Sequence, residues 1–182
     1  DAYLALPPAG RGPGLLLLQE IFGVNEHIRG VADQWALAGF CVLAPDLFWR
    51  QERRVQLGYV GAERERGIAL MQTVTREDAV ADLRASVSAL RALPQCAGPV
   101  GAIGYCMGGR LAFTAAATCD IDAAVCYYGG GIAKQLDLAP SIRCPVQFHH
   151  AGHDASIPPE AVVAVQQAMA GTPAGAQAQF HD

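Results

Sequence analysis

The sequence predicts one α/β domain spanning residues 1–182, with a mostly parallel sheet and helices on both faces. Segments rich in apolar strand-type residues alternate with segments of helical periodicity, which is the pattern of parallel strands joined by crossover helices. A run of leucines at residues 15–18 is typical of a strand buried on both faces. Charged residues make up only 16% of the chain and hydrophobic residues 52%, which favours a large core.

The first part of the chain predicts three strands and one helix. Strand-like segments cover residues 2–6, 15–20 and 40–44, and a turn rich in proline and glycine at residues 7–14 separates the first two. Helical periodicity covers residues 26–38 and stops at Gly39, while Pro45 and Asp46 end the third strand. The polar, arginine-rich stretch at residues 48–75 predicts a cap or loop beside a site.

The remaining chain continues the alternation. Helices are predicted at residues 78–93, 110–117 and 159–169, and strands at residues 99–103, 123–128, 145–150 and 178–180. Because the sequence opens directly into a strand and stops within another, we expect both ends to be truncated and the C-terminal part of the domain to be missing.

Composition narrows the function classes. A net charge of −4 without a basic run argues against a nucleic-acid partner, and no apolar run is long enough to span a membrane. The six cysteines are scattered without metal-type spacing, so we expect reduced thiols, a cytoplasmic location and no bound metal or cofactor. We also expect a monomer.

The segment Gly104-Tyr105-Cys106-Met107-Gly108-Gly109 joins a predicted strand to a predicted helix. This is the pattern of a nucleophile elbow, in which glycines two residues before and after the nucleophile remove side chains that would clash. The backbone N–H groups at the start of the helix favour a thiolate and an oxyanion at the same place. Cys106 is therefore the predicted nucleophile, although the same glycines could serve only close helix packing.

Several polar residues follow the ends of predicted strands, where ligands bind in parallel sheets. They are Glu20, Asp46, Cys106, Gly129 and Asp154. Because these strand ends meet at one edge of the sheet, the residues can share one site despite their distance in sequence.

These motifs resemble the dienelactone hydrolase family over nearly the whole chain. The resemblance rests on the elbow together with Gln19-Glu20-Ile21-Phe22-Gly23-Val24-Asn25, Ala44-Pro45-Asp46-Leu47 and Gly152-His153-Asp154. It implies an α/β-hydrolase fold, with the chain order of nucleophile, acid and then histidine.

The resemblance also implies a role for each matching residue. Cys106 would attack a lactone or ester carbonyl, Asp154 would orient a histidine, and the backbone N–H groups of Met107 and Ile21 would form the oxyanion hole. Glu20 would hold the thiol at rest and help to form the thiolate when substrate enters. The alternatives are an ordinary Asp turn for Asp154 and a helix cap or ion pair for Glu20.

An arginine of the family binds the substrate carboxylate, and Arg64 stands at the matching distance before Cys106. Arg66 and Arg53 are close enough in sequence to compete for this assignment. A solvated helix position is the simpler alternative for Arg64.

The triad histidine is the main departure from the family. The sequence reaches Asp182 before the loop that carries it, so we expect that histidine beyond Asp182. We expect His181 to be a strand residue instead. His149, His150 and His153 could suggest a metal cluster, but adjacent strand residues point to opposite faces.

The predicted function is a hydrolase that opens a small, unsaturated, carboxylated lactone through a cysteine acyl-enzyme. One alternative is a broader carboxylesterase or thioesterase of the same fold, since pocket contacts set specificity. The other alternative is a redox-sensing thiol protein that catalyses no hydrolysis. No resolving cysteine lies near Cys106 in the sequence, which argues against this alternative.

Overall fold

The computed structural model describes residues 1–181, which form seven strands and five α-helices that mostly alternate along the chain. The strands are β1 (Ala2–Ala5), β2 (Gly12–Leu18), β3 (Cys41–Pro45), β4 (Cys96–Tyr105), β5 (Ala123–Tyr127), β6 (Val146–His149) and β7 (Ala178–His181). The helices are α1 (Glu26–Leu37), α2 (Gly61–Thr73), α3 (Arg76–Ala92), α4 (Met107–Thr118) and α5 (Pro159–Ala170). Short 3₁₀ turns lie at Ile132–Lys134, Leu136–Ser141 and Gly175–Gln177.

The strands form one sheet in the order β1-β3-β2-β4-β5-β6-β7. β1 pairs with β3 in the antiparallel direction, and every other pairing is parallel. The mostly parallel sheet that the sequence predicts is thus confirmed. Its carboxyl edge carries the ends of β2, β4, β5 and β6 side by side.

Helices lie on both faces of the sheet, because alternate leucines of β2 point to opposite sides. Leu15 and Leu17 pack with α1, whereas Leu16 and Leu18 share the larger core with α3, α4 and α5. Asn25 begins α1 by accepting a 3.1 Å hydrogen bond from the Ile28 backbone N–H, as a helix cap should. None of the helices in residues 1–181 combines the length and apolarity needed to cross a bilayer.

Helix α2 is the element that the sequence did not predict, since it lies inside the stretch assigned to a cap or loop. Its apolar residues do not gather on one side, and its only buried residue is Gly67. A Cβ on Gly67 would lie 2.6 Å from the Ile21 carbonyl oxygen, so the helix approaches the end of β2 through a glycine. Ile68, Leu70 and Met71 also pack against the core, so α2 is held by these partly buried apolar contacts together with the close approach at Gly67.

Candidate active site

Cys106 occupies the sharp turn between β4 and α4, with φ 56° and ψ −116°. Such backbone angles cost free energy in any residue other than glycine, and they persist only where the surrounding structure enforces them. A Cβ on Gly104 would lie 2.0 Å from the Gly108 oxygen, and one on Gly108 would lie 2.1 Å from the Leu18 oxygen. The need for both glycines, expected from the sequence, is confirmed.

The Cys106 thiol is half-buried, and burial raises its pKa above the ordinary value. The Met107 backbone N–H and the Arg110 charge lower that pKa, whereas the charges of Glu20 and Asp154 raise it. The Met107 N–H thus acts toward the thiolate, in the direction that the sequence predicts, although the net shift of the pKa is upward. Burial and two nearby carboxylates outweigh the helix N-terminus.

Glu20 follows β2 and is only 9% exposed. The Tyr59 hydroxyl donates a 2.8 Å hydrogen bond to Glu20 Oε2, and the Tyr128 hydroxyl a 3.5 Å one to Oε1. Between residues 1 and 181, no hydrogen bond joins Glu20 to Cys106. Two tyrosines thus hold the carboxylate, and its influence on the thiol is electrostatic.

Ile21 lies in the turn after Glu20 and is buried. Gly67 of α2 packs against its carbonyl oxygen, which fixes the peptide that carries the Ile21 carbonyl. Met107, the first residue of α4, is also buried. Ile21 follows the end of β2, and Met107 follows the end of the neighbouring strand β4.

Asp154 lies in the loop between β6 and α5, at the wall of a groove of about 590 Å³. Its Oδ1 accepts a 2.8 Å hydrogen bond from the Ser156 backbone N–H, which is an ordinary Asp turn. Its charge nevertheless reaches the Cys106 thiol and raises the pKa of that thiol. Asp154 therefore has a local structural role and also lies near the nucleophile.

Among residues 1–181, the imidazoles of His27, His149, His153 and His181 make no hydrogen bond to the Asp154 carboxylate. His181 ends β7 beside His149, and the two rings stack with centroids 4.7 Å apart. The sequence expectation that His181 is a strand residue is confirmed. Its ring belongs to this stack and not to an Asp154–Cys106 relay.

Arg64 is exposed on α2, one turn before Gly67, and therefore on the side of the helix that approaches Ile21. In the described chain it makes no ion pair or hydrogen bond. Arg66, one of its competitors, is paired with Glu52. Arg53 lies in the loop before α2 and is exposed.

Asp46 does not join the site, although it follows a strand end. Its carboxylate accepts hydrogen bonds from the backbone N–H groups of Phe48 (3.2 Å) and Arg54 (2.7 Å). Asp46 therefore organises the loop after β3. The distinction could not be read from sequence, because both roles suit an Asp that follows a strand.

Tyr59 and Tyr128 are the site residues that sequence reasoning missed. Tyr128 has a φ of 37° and directly precedes Gly129, and burial together with the Glu20 charge raises the pKa of its hydroxyl. The Tyr59 ring packs against Phe22 at a tilt of 50° with ring centroids 4.3 Å apart, and its hydroxyl donates to Glu20. The glycine run after β5 was the available signal for Tyr128, whereas nothing in the polar stretch singled out Tyr59.

Over the described residues, no group of three His, Cys, Asp or Glu side chains could hold a metal ion.

The sheet order, the elbow and the positions of the acidic residues define an α/β-hydrolase. Comparison with known proteins agrees with this class and narrows it. The dienelactone hydrolase family model matches residues 1–182, and the chain belongs to that family. It is therefore a hydrolase of the dienelactone hydrolase type, which acts on ester or lactone bonds.

Two curated relatives are similar over most of this chain. Carboxymethylenebutenolidase 1 of Cupriavidus pinatubonensis is 39% identical over 161 residues, covering 88% of this chain and 69% of the relative. Carboxymethylenebutenolidase of Pseudomonas sp. strain P51 is 38% identical over 174 residues, covering 95% and 73%.

Solved structures show the same fold. A Klebsiella pneumoniae protein assigned to the dienelactone hydrolases superposes with a TM-score of 0.80 at 27% identity, covering 99% of this chain and 83% of that one. A dienelactone hydrolase-like promiscuous phosphotriesterase from metagenomic libraries has a TM-score of 0.78 at 23% identity, covering 100% and 80%. At that identity the second likeness concerns the fold alone.

Proposed function

We propose that the protein opens a small, unsaturated, carboxylated lactone through a covalent intermediate on Cys106. The observation that carries the proposal is the strained backbone of Cys106 at the start of α4, where φ is 56°. Strain of this kind is retained at sites where it positions a reacting group. Family membership already makes the chain a hydrolase, so the redox-sensing alternative falls away.

The reaction begins when the thiol loses its proton and the sulfur attacks the lactone carbonyl carbon. The carbonyl oxygen becomes an oxyanion, for which the backbone N–H groups of Met107 and Ile21 are the proposed donors. The ring C–O bond then breaks, the leaving oxygen takes up a proton, and a thioester on Cys106 remains. Water attacks the thioester, giving the carboxylic acid and restoring the thiol.

Glu20 is the proposed acceptor of the thiol proton. Its carboxylate lies near enough to raise the pKa of Cys106 and is held by two hydroxyl groups that a substrate could displace. The longer 3.5 Å contact with Tyr128 makes that side the easier one to release. Asp154 is the proposed partner for an imidazole that handles the leaving oxygen and the water.

Arg64 is the residue that we propose to bind the substrate carboxylate. Its guanidinium has no ion pair in the described chain and lies on the side of α2 that faces the β2 end. An arginine fork can bind a carboxylate through two parallel hydrogen bonds. A lactone without a carboxylate would gain nothing from it.

The test measures hydrolysis of a carboxylated dienelactone and of a neutral aryl ester by four forms of the protein: wild type, Cys106→Ala, Arg64→Gln and the exposed-arginine control Arg53→Gln. Cys106→Ala should lose about a thousandfold or more on both substrates, because no nucleophile remains. Arg64→Gln should lose roughly ten- to a hundredfold in kcat/KM on the carboxylated lactone alone, corresponding to about 1.5–3 kcal/mol.

The controls separate the outcomes. Arg53→Gln should resemble wild type on both substrates. Equal loss on both substrates in Arg64→Gln would make Arg64 structural, and wild-type preference for the neutral ester would favour the broader carboxylesterase or thioesterase. Retained turnover in Cys106→Ala would remove the nucleophile. An acyl adduct on the Cys106 peptide, found by mass spectrometry of the quenched reaction, is the positive sign.

A further inference from the structure

Arg110 lies one turn into α4, and its side chain extends from the elbow toward Gly131. A Cβ on Gly131 would lie 3.2 Å from Arg110 Nη1, so the guanidinium packs over the backbone of that glycine. Arg110 is half-buried, and burial lowers its pKa below the ordinary value. The charged side chain of Arg110 is thus only partly exposed to water.

The Arg110 guanidinium has no acceptor among residues 1–181, where neither a carboxylate nor a carbonyl oxygen hydrogen-bonds to it. Other arginines of the chain do have carboxylate partners, as Arg50 has with Asp82 and Arg76 has with Asp137. A half-buried cation without a partner costs free energy that a bound anion would recover. The position therefore favours an anionic ligand.

Arg110 is one of the residues that line a cavity of about 270 Å³ between α2, α3 and α4. None of the residues that line this cavity is acidic. Arg76 also lines it, but its two terminal nitrogens are bound to the Asp137 carboxylate at 2.6 and 3.2 Å. The cavity therefore holds one positive charge that no neighbouring group offsets, and that charge is on Arg110.

The remaining walls combine polar and apolar groups. The Thr114 hydroxyl donates a 3.0 Å hydrogen bond to Gln135 Oε1. The amide NH₂ group of Gln135 therefore remains able to donate hydrogen bonds. Met71, Val74 and Leu111 supply apolar surface. Cys106 and Glu20 do not line this cavity, which adjoins the candidate active site because the Arg110 charge reaches the Cys106 thiol.

We propose that this cavity binds a small carboxylate with an apolar body, for which benzoate is a probe. The carboxylate would pair with the Arg110 fork, and the apolar body would lie against Met71 and Leu111. The site adds a binding activity that does not depend on hydrolysis at Cys106.

The three methionines provide a local measurement. Met71 lines the cavity, Met107 follows the nucleophile, and Met169 is fully buried in the core. With ¹³C-labelled methionine methyl groups, NMR titration with benzoate should shift the Met71 signal saturably and leave the Met169 signal in place. A Met107 shift without a Met71 shift would place benzoate in the active site and overturn the proposal.

Arg110→Gln should weaken benzoate binding at Met71 by roughly tenfold or more, since the charged hydrogen bonds are lost. The control Arg84→Gln removes an exposed arginine of α3 that does not line the cavity and should bind benzoate as wild type does. An unchanged affinity in Arg110→Gln overturns the proposal. An unaltered Met169 signal in each variant would show that its core is folded. If Arg110→Gln fails to fold, Arg110→Lys, which keeps the charge but loses the fork, should still bind more weakly than wild type.

Two further ligands test the chemical class. Benzyl alcohol carries a similar apolar body without charge, and inorganic phosphate carries charge without an apolar body. Both should bind distinctly more weakly than benzoate. If benzyl alcohol bound as tightly as benzoate, the cavity would select only an apolar body. If phosphate bound as tightly as benzoate, the cavity would be a general anion site. Either result would reject the proposal of a carboxylate ligand.

Discussion

At the scale of single residues, the charge of Glu20 acts on the thiol of Cys106. The Glu20 carboxylate raises the pKa of the Cys106 thiol, and burial raises it further. Below its pKa a thiol is mostly protonated, so the resting protein keeps the nucleophile in its unreactive form. A substrate that displaced Tyr128 from Glu20 would change this balance only while it is bound.

Glu20→Gln tests this coupling because the amide removes the charge and keeps the shape. Removing a nearby negative charge lowers the thiol pKa, so more thiolate is present at pH 8 and alkylation by neutral iodoacetamide should become faster. Lactone hydrolysis should fall by roughly a hundredfold, because the proton acceptor is lost. Rate measurements of both reactions on one preparation give this split.

Glu65→Gln is the matched control, since Glu65 is an exposed carboxylate on α2. It should change neither rate. If Glu20→Gln slowed alkylation as well as hydrolysis, Glu20 would position the elbow rather than exchange a proton.

At the scale of elements, the ends of four parallel strands carry a row of stacked rings. Tyr105, Tyr127, His149 and His181 are in register across β4, β5, β6 and β7. Their successive ring centroids are 5.0, 4.4 and 4.7 Å apart. Burial and the neighbouring charges of His181 and His150 lower the pKa of His149 below its ordinary value. The folded protein therefore prefers a neutral His149.

The pH dependence of stability follows from this shift. Between the lowered folded pKa and the ordinary unfolded value of about 6.5, the unfolded chain binds more protons, so stability is lost as pH falls. The thermal midpoint should drop between pH 7.5 and 5.5, and His149→Phe should make that drop smaller while keeping an aromatic ring in the row. Calorimetry over the pH range measures both.

His27→Phe is the control for this measurement, because His27 lies outside the row, against Tyr59. It should leave the pH dependence as in wild type. A drop of equal size in His149→Phe would show that other groups dominate acid destabilisation.

At the scale of the whole molecule, the fold gives six cysteines different surroundings. Cys41 and Cys126 are buried in the sheet, and burial raises the pKa of both. Cys106 is half-buried at a helix start, where the Met107 N–H and the Arg110 charge oppose the effect of burial. We expect limited iodoacetamide treatment followed by peptide mass spectrometry to find Cys106 modified first.

The same treatment in concentrated urea is the reference, because unfolding should make all six cysteines react alike. Cys119 is a useful internal comparison, since it is half-buried but lies at the far end of α4. Preferential labelling of Cys41 or Cys144 in the folded protein would exclude Cys106 as the nucleophile.

The sequence by itself determined the features that depend on local chemistry. Gly104 is needed because a Cβ there would collide with the Gly108 backbone only four residues later, so this constraint is local in the chain. Apart from α2, the order of strands and helices also followed from local periodicity, and the parallel sheet followed from that order. The motifs at Glu20, Cys106 and Asp154 sufficed for the family.

Only the tertiary structure decided which side chains meet. Tyr59 and Tyr128 reach Glu20 from 39 and 108 residues away, and no local pattern records such contacts. The burial that raises the Cys106 pKa is likewise a property of the packed molecule, as is the lack of an acceptor for Arg110 in the described chain. Helix α2 has no apolar stripe, and its position depends on partly buried apolar contacts together with the contact between Gly67 and Ile21. Local spacing determines backbone conformation, whereas solvation and pairing of charges depend on what the fold brings together.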